Sequence, residues 1–229
     1  MCGIAGFWNL NGESVSRALL ERFADSIAHR GPDGNGFYVD AESNLGLGHR
    51  RLAILDTSDS GKQPMSYGDG RYWITFNGEI YNFLELRDEL KQHGYQFVTE
   101  SDTEVVMAAY NKWGEDCQSH FNGMWAFALW DRQDKRLFLS RDRFGVKPLM
   151  YFYDGERFAF ASEMKAFLAL DWFSAEFDPE MVSASLINSK LVEGTERCLL
   201  LDLNRLLGGY CLTINQKGDL RKRRWWNTL

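Results

Sequence analysis

Proline and cysteine are both scarce in this chain, four of each in 229 residues. So few prolines offer no obvious hinge, and one domain is the expectation, with two tightly packed halves as the alternative. The cysteines at positions 2, 117, 198 and 211 form no CxxC pair and no metal-type cluster with the four histidines, which argues against a zinc site or a disulfide framework. No apolar run approaches the roughly 20 residues of a membrane helix. No basic region precedes the short apolar start at residues 3–10, as a secretory leader would require. Low-complexity linkers and internal repeats are missing as well. Positive charge is also short: 26 Lys and Arg stand against 32 Asp and Glu, a net charge of −6, which makes the chain a poor candidate for nucleic-acid binding. The one basic run, Arg221-Lys222-Arg223-Arg224, reads as a solvated tail rather than a targeting patch. Together these absences describe a cytoplasmic protein with reduced thiols and neither nucleic acid nor membrane as partner.

What the chain does have is aromatic and apolar material. Hydrophobic residues make up 45 %, with 16 Phe, 9 Tyr and 8 Trp, enough to fill a core and to argue against disorder. Gly3 to Trp8 is a short apolar run that reads as a buried strand. Ser14 is a candidate cap for a helix whose Val15, Leu19, Leu20, Phe23 and Ile27 recur at helical spacing. Arg30-Gly31-Pro32-Asp33-Gly34 then stops it. Strand candidates follow at 37–40, 45–48, 52–55 and 72–76, helices at 84–92 and 102–113, and strands again at 124–130, 136–140, 149–153 and 158–161. Residues 162–168 and 179–187 read as helical, and two strands at 198–202 and 210–214 close the domain. Strands run in series rather than alternating with helices, which favours an α+β fold with antiparallel sheets stacked together and helices outside.

Met1-Cys2-Gly3-Ile4 places a thiol directly after the initiator methionine. Removal of Met1 would leave nucleophile and base on one residue, because an α-amine with an ordinary pKa of about 7.7–8.0 can take the proton of a thiol near 8.5. A buried structural thiol explains Met-Cys equally well, and a lipid-modified cysteine would need a longer apolar leader. Two other features have plain local readings. Asn77-Gly78 after an apolar strand is a turn signal. Ser101-Asp102-Thr103-Glu104 fits a helix capping box, with Asp102 also favouring the helix dipole. Asp142, Arg143 and Lys147, charged residues in an apolar region, suggest a paired ionic network at least as readily as chemistry.

Taken in order, several segments form a set: Cys2-Gly3-Ile4-Ala5-Gly6, His29-Arg30-Gly31-Pro32-Asp33-Gly34, and Gly48-His49-Arg50-Arg51-Leu52-Ala53-Ile54-Leu55-Asp56. They continue with Phe76-Asn77-Gly78-Glu79-Ile80-Tyr81-Asn82, Ser101-Asp102-Thr103-Glu104, Arg141 to Pro148, and Ala161 to Ala166. The series resembles the class II glutamine amidotransferase domain of glutamine-dependent asparagine synthetases, an N-terminal-nucleophile hydrolase, over residues 2–210. That resemblance implies a four-layer αββα sandwich of two antiparallel sheets, and L-glutamine as substrate. It implies that Cys2 forms a glutamyl thioester, and that the Asn77 side chain and the Gly78 backbone N–H hold the oxyanion. Arg51 would pair with the substrate α-carboxylate, where a planar guanidinium can bind with two parallel hydrogen bonds. Arg50 would face the opposite way in an extended segment. Glu79 and Asp102 would hold the α-ammonium, and Ile54 joins the substrate contacts. No metal or cofactor is implied in this stretch.

The ATP loop of the family's second domain, Ser-Gly-Gly-x-Asp-Ser, does not occur here. ATP and Mg therefore belong to an acceptor domain or separate subunit outside this sequence, with 211–229 as a boundary segment leading toward it and a homodimer possible. Three alternatives stay open: a glutamine-binding remnant or sensor without hydrolysis, an amidotransferase serving an amino sugar or purine precursor, and an N-terminal-nucleophile peptidase or amidase. A retained Met1 would favour the sensor.

Overall fold

The structure, a computed structural model, describes residues 1–52 and 61–227. In chain order its strands are β1 (Gly3–Asn9), β2 (Gly34–Asp40), β3 (Leu45–Arg51), β4 (Met65–Tyr67), β5 (Tyr72–Ile80) and β6 (Gly123–Asp131). Then come β7 (Arg136–Arg141), β8 (Met150–Tyr153), β9 (Arg157–Ala161), β10 (Leu203–Arg205), β11 (Tyr210–Asn215) and β12 (Leu220–Arg224). The α-helices are α1 (Arg17–Asp25), α2 (Phe83–Gln92), α3 (Asp102–Trp113), α4 (Pro179–Ile187) and the short α5 (Lys190–Glu193).

One sheet has the order β10-β8-β9-β1-β3-β2 and the other β12-β11-β7-β6-β5-β4. The strand pairs are antiparallel. Because side chains alternate along a strand, each sheet presents two apolar faces. Between the sheets lie Ile4, Trp8, Leu45 and Leu47 from the first, with Ala126, Ala128, Trp130 and Leu139 from the second. The other face of the first sheet, including Ala5 and Phe7, packs on Leu20, Phe23 and Ala24 of α1. The other face of the second, including Phe76, Phe127 and Leu129, packs on Leu86 and Leu90 of α2 and on the apolar run 105–109 of α3. The result is the expected α+β sandwich of four layers, αββα.

Several local expectations move. The α1 cap is Ser16 rather than Ser14, its hydroxyl accepting Leu19 N–H at 3.2 Å, while the Ser14 carbonyl is occupied by the Asn9 side chain. Residues 164–169 form a 3₁₀ turn in place of a longer helix. Residues 198–202 hold only a bridge through Leu200, and the strand begins at Leu203. The expected strand at 52–55 falls largely outside the described residues. The sheet also continues past residue 210, through β11 and β12, so 211–224 is part of the sandwich. With it goes the solvated-tail reading of the basic run. Those four residues belong to β12, with Lys222 paired to Glu196 and Arg223 to Asp116 at 2.9 Å.

The loop after β7 is wound around two adjacent charged side chains, and the expected ionic network among Asp142, Arg143 and Lys147 is not what they form. The buried Asp142 carboxylate accepts the N–H groups of Trp125, Phe144, Val146 and Lys147 at 3.0–3.2 Å. The Arg141 guanidinium donates to the carbonyls of Gly145, Lys147 and Leu206. Burial pushes Arg141 down to about 10, against the pull of the neighbouring Asp142 charge, so the guanidinium stays charged at neutral pH. Removing the carboxylate would orphan buried donors from two elements at once. Asp142→Ala is therefore expected to cost at least about 3 kcal/mol in denaturant unfolding, more than a surface Asp→Ala control.

Candidate active site

Alternation decides which candidates face the space between the sheets. On β3, Leu45 and Leu47 point inward, so His49 and Arg51 follow on the same face. Arg50 points to the helix side and pairs with Asp25 at the end of α1, 2.8 Å away. On β1, Ile4 is inward, and Cys2, two residues earlier, shares its side. The Cys2 thiol accepts Leu52 N–H at 3.4 Å and lies 3.6 Å from the Leu52 carbonyl. On β5, Ile74, Phe76 and Ile80 pack outward against the helices, which turns Thr75, Asn77 and Glu79 inward. Cys2, Arg51, Asn77 and Glu79 therefore all face one interlayer region, contributed by both sheets.

Asn77-Gly78 is not a turn. Strand β5 runs straight through it to Ile80, with Asn77 opposite Ala126 and Gly78 opposite Trp125. A Cβ on residue 78 would lie 2.4 Å from the Met124 carbonyl oxygen and 2.8 Å from Trp125 Cα, so glycine is there for close approach of two strands.

The same pairing sets the direction of the Gly78 N–H. Trp125 spends both its backbone groups on the other side, its N–H on Asp142 Oδ2 and its carbonyl on Asp142 N–H at 2.9 Å. Gly78 and Trp125 thus form a pair without mutual hydrogen bonds, and the Gly78 N–H points out of the ladder. Its neighbours with the same orientation are already taken. Phe76 N–H donates to Gln63 Oε1 at 2.6 Å, and Ile80 N–H to Asp102 Oδ2 at 3.0 Å. Between them the Gly78 N–H meets no acceptor among the described residues. Beside it, the Asn77 Nδ2 is buried with no hydrogen-bond partner. Buried donors are ordinarily satisfied, so two unengaged donors on consecutive residues mark a place built for an acceptor that arrives from outside.

Asp102 opens α3. Ser101 caps the helix through Thr103 N–H at 3.1 Å, but the reciprocal half of the capping box does not form. Glu104 instead reaches back to the N–H groups of Val98 and Thr99. The Asp102 carboxyl is raised above its ordinary 3.8 by burial, with the nearby charge of Glu79 adding to the effect and the N–H groups of Ile80 and Thr103 opposing it. Two carboxylates thus stand close together, and among the described residues neither forms a salt bridge. Such a pair suits an ammonium group.

The turn 30–33 does more than stop a helix. Gly31 lies against the Arg50–Arg51 peptide, where a Cβ would come within 2.3–2.5 Å of three backbone atoms. Asp33 N–H donates to the Arg51 carbonyl at 3.0 Å. The Arg30 side chain donates to the Cys2 carbonyl at 2.9 Å and to Glu163 Oε1 at 3.0 Å, with its Nη2 buried and unpartnered. Glu163 would be raised by burial, but Arg30 and His29 hold it below the usual carboxylate range. Ser162 completes the brace, its hydroxyl accepting Ile4 N–H at 3.0 Å. Arg30, Ser162 and Glu163 all sit in motifs legible in the sequence, yet nothing there showed that they converge on the strand of Cys2. Ile54 lies outside the described residues. Among those described, no group of three or more His, Cys, Asp or Glu gathers as a metal site. A cavity of about 380 Å³ lies elsewhere, lined by Arg141, Arg143 and Arg224 among others, whose guanidinium groups are already bonded to protein oxygens.

A four-layer αββα sandwich with a cysteine leading into a central strand is the architecture of an N-terminal-nucleophile hydrolase. The sequence model described as a glutamine amidotransferase domain matches residues 1–226, and the chain belongs to that family. It is 44 % identical over 171 residues to "Asparagine synthetase [glutamine-hydrolyzing] 1" of Bacillus subtilis (strain 168), covering 73 % of this chain and 27 % of the relative. It is 38 % identical over 231 residues to asparagine synthetase 3 of the same organism, covering 99 % and 37 %. "Amidase chry2" of Gibberella zeae is 39 % identical over 179 residues, covering 74 % and 26 %. The chain thus spans between a quarter and two fifths of these relatives. In fold it resembles the glutamine phosphoribosylpyrophosphate amidotransferase of B. subtilis, with a TM-score of 0.72 at 20 % identity, over 98 % of this chain and 49 % of that one. Among the described residues no helix is long and apolar enough to cross a membrane.

The raised Asp102 has a consequence for stability. An acid whose folded pKa lies above its unfolded value favours the fold while protonated and opposes it once ionised. Asp102→Asn should therefore raise the unfolding free energy at neutral pH. The gain should shrink as the pH falls through the raised value toward the ordinary 3.8; a pH-independent difference in urea unfolding would contradict this assignment.

Proposed function

We propose that this domain hydrolyses L-glutamine to L-glutamate and ammonia through a thioester on Cys2. The observation that carries this reading is a pair of adjacent donors without acceptors among the described residues: Asn77 Nδ2, on the interlayer region that the thiol also faces, and the Gly78 N–H at the edge of β5 beside it. Met1 is 55 % exposed, which leaves it open to an aminopeptidase. Its removal frees the α-amine of Cys2 to take the thiol proton. The thiolate attacks the side-chain amide carbon of glutamine, and the oxyanion that forms accepts hydrogen bonds from Asn77 and Gly78. Donors already in place are worth far more to a developing charge than solvent that must reorganise. The protonated amine then gives its proton to the leaving nitrogen, ammonia departs, and water cleaves the thioester to release glutamate.

Substrate selection follows from the charges. Arg51 grips the α-carboxylate, while Glu79 and Asp102 receive the α-ammonium; Ile54 is assigned to the same substrate pocket. Burial and the charge of Arg51 push His49 down to about 3, so His49 is neutral at working pH and adds no second cation to the carboxylate site. The ammonia passes to an asparagine-synthetase-type acceptor site on a further domain or partner, and ATP and Mg act there rather than in this domain. Two observations support that acceptor: relatives bearing the asparagine synthetase name, and their greater length. The relative named as an amidase keeps a different acceptor as the second reading. Four free thiols suit a reducing cytoplasm.

Mass spectrometry of the purified protein should show an N-terminus beginning at Cys2, and Cys2→Ala should release no ammonia from glutamine while unfolding as the wild type does. Ammonia release by Cys2→Ala would overturn the mechanism. Two further substitutions should divide binding from chemistry. Arg51→Ala should raise KM for glutamine by about tenfold or more with a smaller effect on kcat. Asn77→Ala should lower kcat roughly 100- to 1000-fold with KM little changed.

A further inference from the structure

The space between the sheets is filled mainly by apolar side chains, and near Cys2 a polar contact crosses it. His49 of β3 and Thr75 of β5, both buried, meet with His49 Nδ1 3.2 Å from Thr75 Oγ1. The Thr75 hydroxyl also lies 3.1 Å from the Gly48 carbonyl. That hydroxyl has a single proton, and a carbonyl can only accept, so the proton goes to Gly48. The contact with His49 must then be donated by the ring, which fixes the neutral tautomer with Nδ1 protonated and Nε2 carrying the lone pair. Thr75 is thus tied to β3 twice, by one donated and one accepted hydrogen bond.

The position of this tie matters. One two-residue step along β3 from His49 is Arg51, and one such step along β5 from Thr75 is Asn77. The adjoining strand β1 pairs Ile4 with His49 and Gly3 with Arg50, so Cys2 follows at the same level as Arg51. Thiol and carboxylate grip ride on one sheet, oxyanion donors on the other. Apolar packing between the sheets is non-directional, whereas a pair of hydrogen bonds between named atoms constrains both distance and angle.

We propose that His49 and Thr75 are positioning residues of this site, a strut that holds the Cys2 sheet at the spacing from Asn77 and Gly78 that thioester formation requires. The proposal rests on the glutaminase reading above. Bound glutamine is flexible enough to keep its grip when the sheets shift slightly. The oxyanion donors act only in the transition state, where misplacement by about 1 Å costs roughly 100-fold. A slackened strut should therefore reduce kcat far more than it raises KM.

Steady-state kinetics on the intact protein test this with paired substitutions. His49→Leu and Thr75→Val, which remove the hydrogen bonds, should each lower kcat roughly 100-fold. His49→Asn, which keeps an N–H near the Nδ1 position, and Thr75→Ser, which keeps the hydroxyl, should stay within about tenfold of wild type. The double variant should be no slower than the worse single one. Wild-type kcat in His49→Leu, or equal losses in the conservative and disruptive variants, would overturn the proposal. Should the Leu and Val variants fail to fold, the Asn and Ser variants and the ring tautomer decide. In ¹⁵N-histidine NMR of the wild type at neutral pH, His49 should be neutral with the proton on Nδ1, and a proton on Nε2 would overturn the strut whatever the activity. A wild type that begins at Cys2 and releases no ammonia would overturn the functional reading itself; an active wild type with an equally active His49→Leu would overturn only the strut.

Discussion

Three backbone N–H groups point out of the same edge of β5, and the outer two are already taken. Gln63 accepts from Phe76 and Asp102 from Ile80, which leaves Gly78 between them as the donor without an acceptor among the described residues. The constraint behind this is simple. In an antiparallel ladder a residue bonds to one side only, and Asp142 claims Trp125 from the far side. The outward direction of the Gly78 N–H thus follows from Asp142, at the end of a strand two away. Around this edge everything else is arranged in support. Asn77 adds a second donor, Asp102 accepts the N–H of Ile80 and stands beside the like charge of Glu79, and the opposite sheet brings in Cys2 and Arg51.

The braces around Cys2 follow a similar logic of shared anchors. Its carbonyl is held by Arg30, Arg30 is held by Glu163, and the next residue but one, Ile4, is held by Ser162. The turn that carries Arg30 also presses Gly31 onto the Arg50–Arg51 peptide. Cys2 and Arg51 are therefore both held by one compact turn. Motifs far apart in sequence work here as one mechanical unit, which explains why an ordered series of short strings identified the family while no single string did.

Much of the architecture was legible in the sequence, because strand and helix periods are local. The long helix 102–113 and the strands on either side of Trp125 stand where alternation places them. The readings that failed had a common cause, namely partners distant in sequence. Asn77-Gly78 reads as a turn until β6 is laid beside it, where the missing Cβ makes room for Trp125. Arg221–Arg224 reads as a tail until β11 and acidic residues from elsewhere receive it. That Arg50 and Arg51 face opposite ways could be read beforehand, since strand geometry sends neighbours to opposite faces. The convergence of Arg30, Ser162 and Glu163 on Cys2 could not, for it depends on strands more than a hundred residues apart.

The bond between Asp142 and Trp125 also has a bearing on how this domain can vary. Strand alternation has only two settings, and the far side of β6 selects between them. A slip of one residue between β5 and β6 would turn the Gly78 N–H into the ladder and present that of Asn77 or Glu79 instead, with a side chain in the way. A slip of two would restore the orientation but displace Gly78 from its place opposite Trp125. Insertions and deletions within β5 or β6 are thus subject to a parity rule, whereas the connection at 81–122, with its two helices, can change length without inverting the edge.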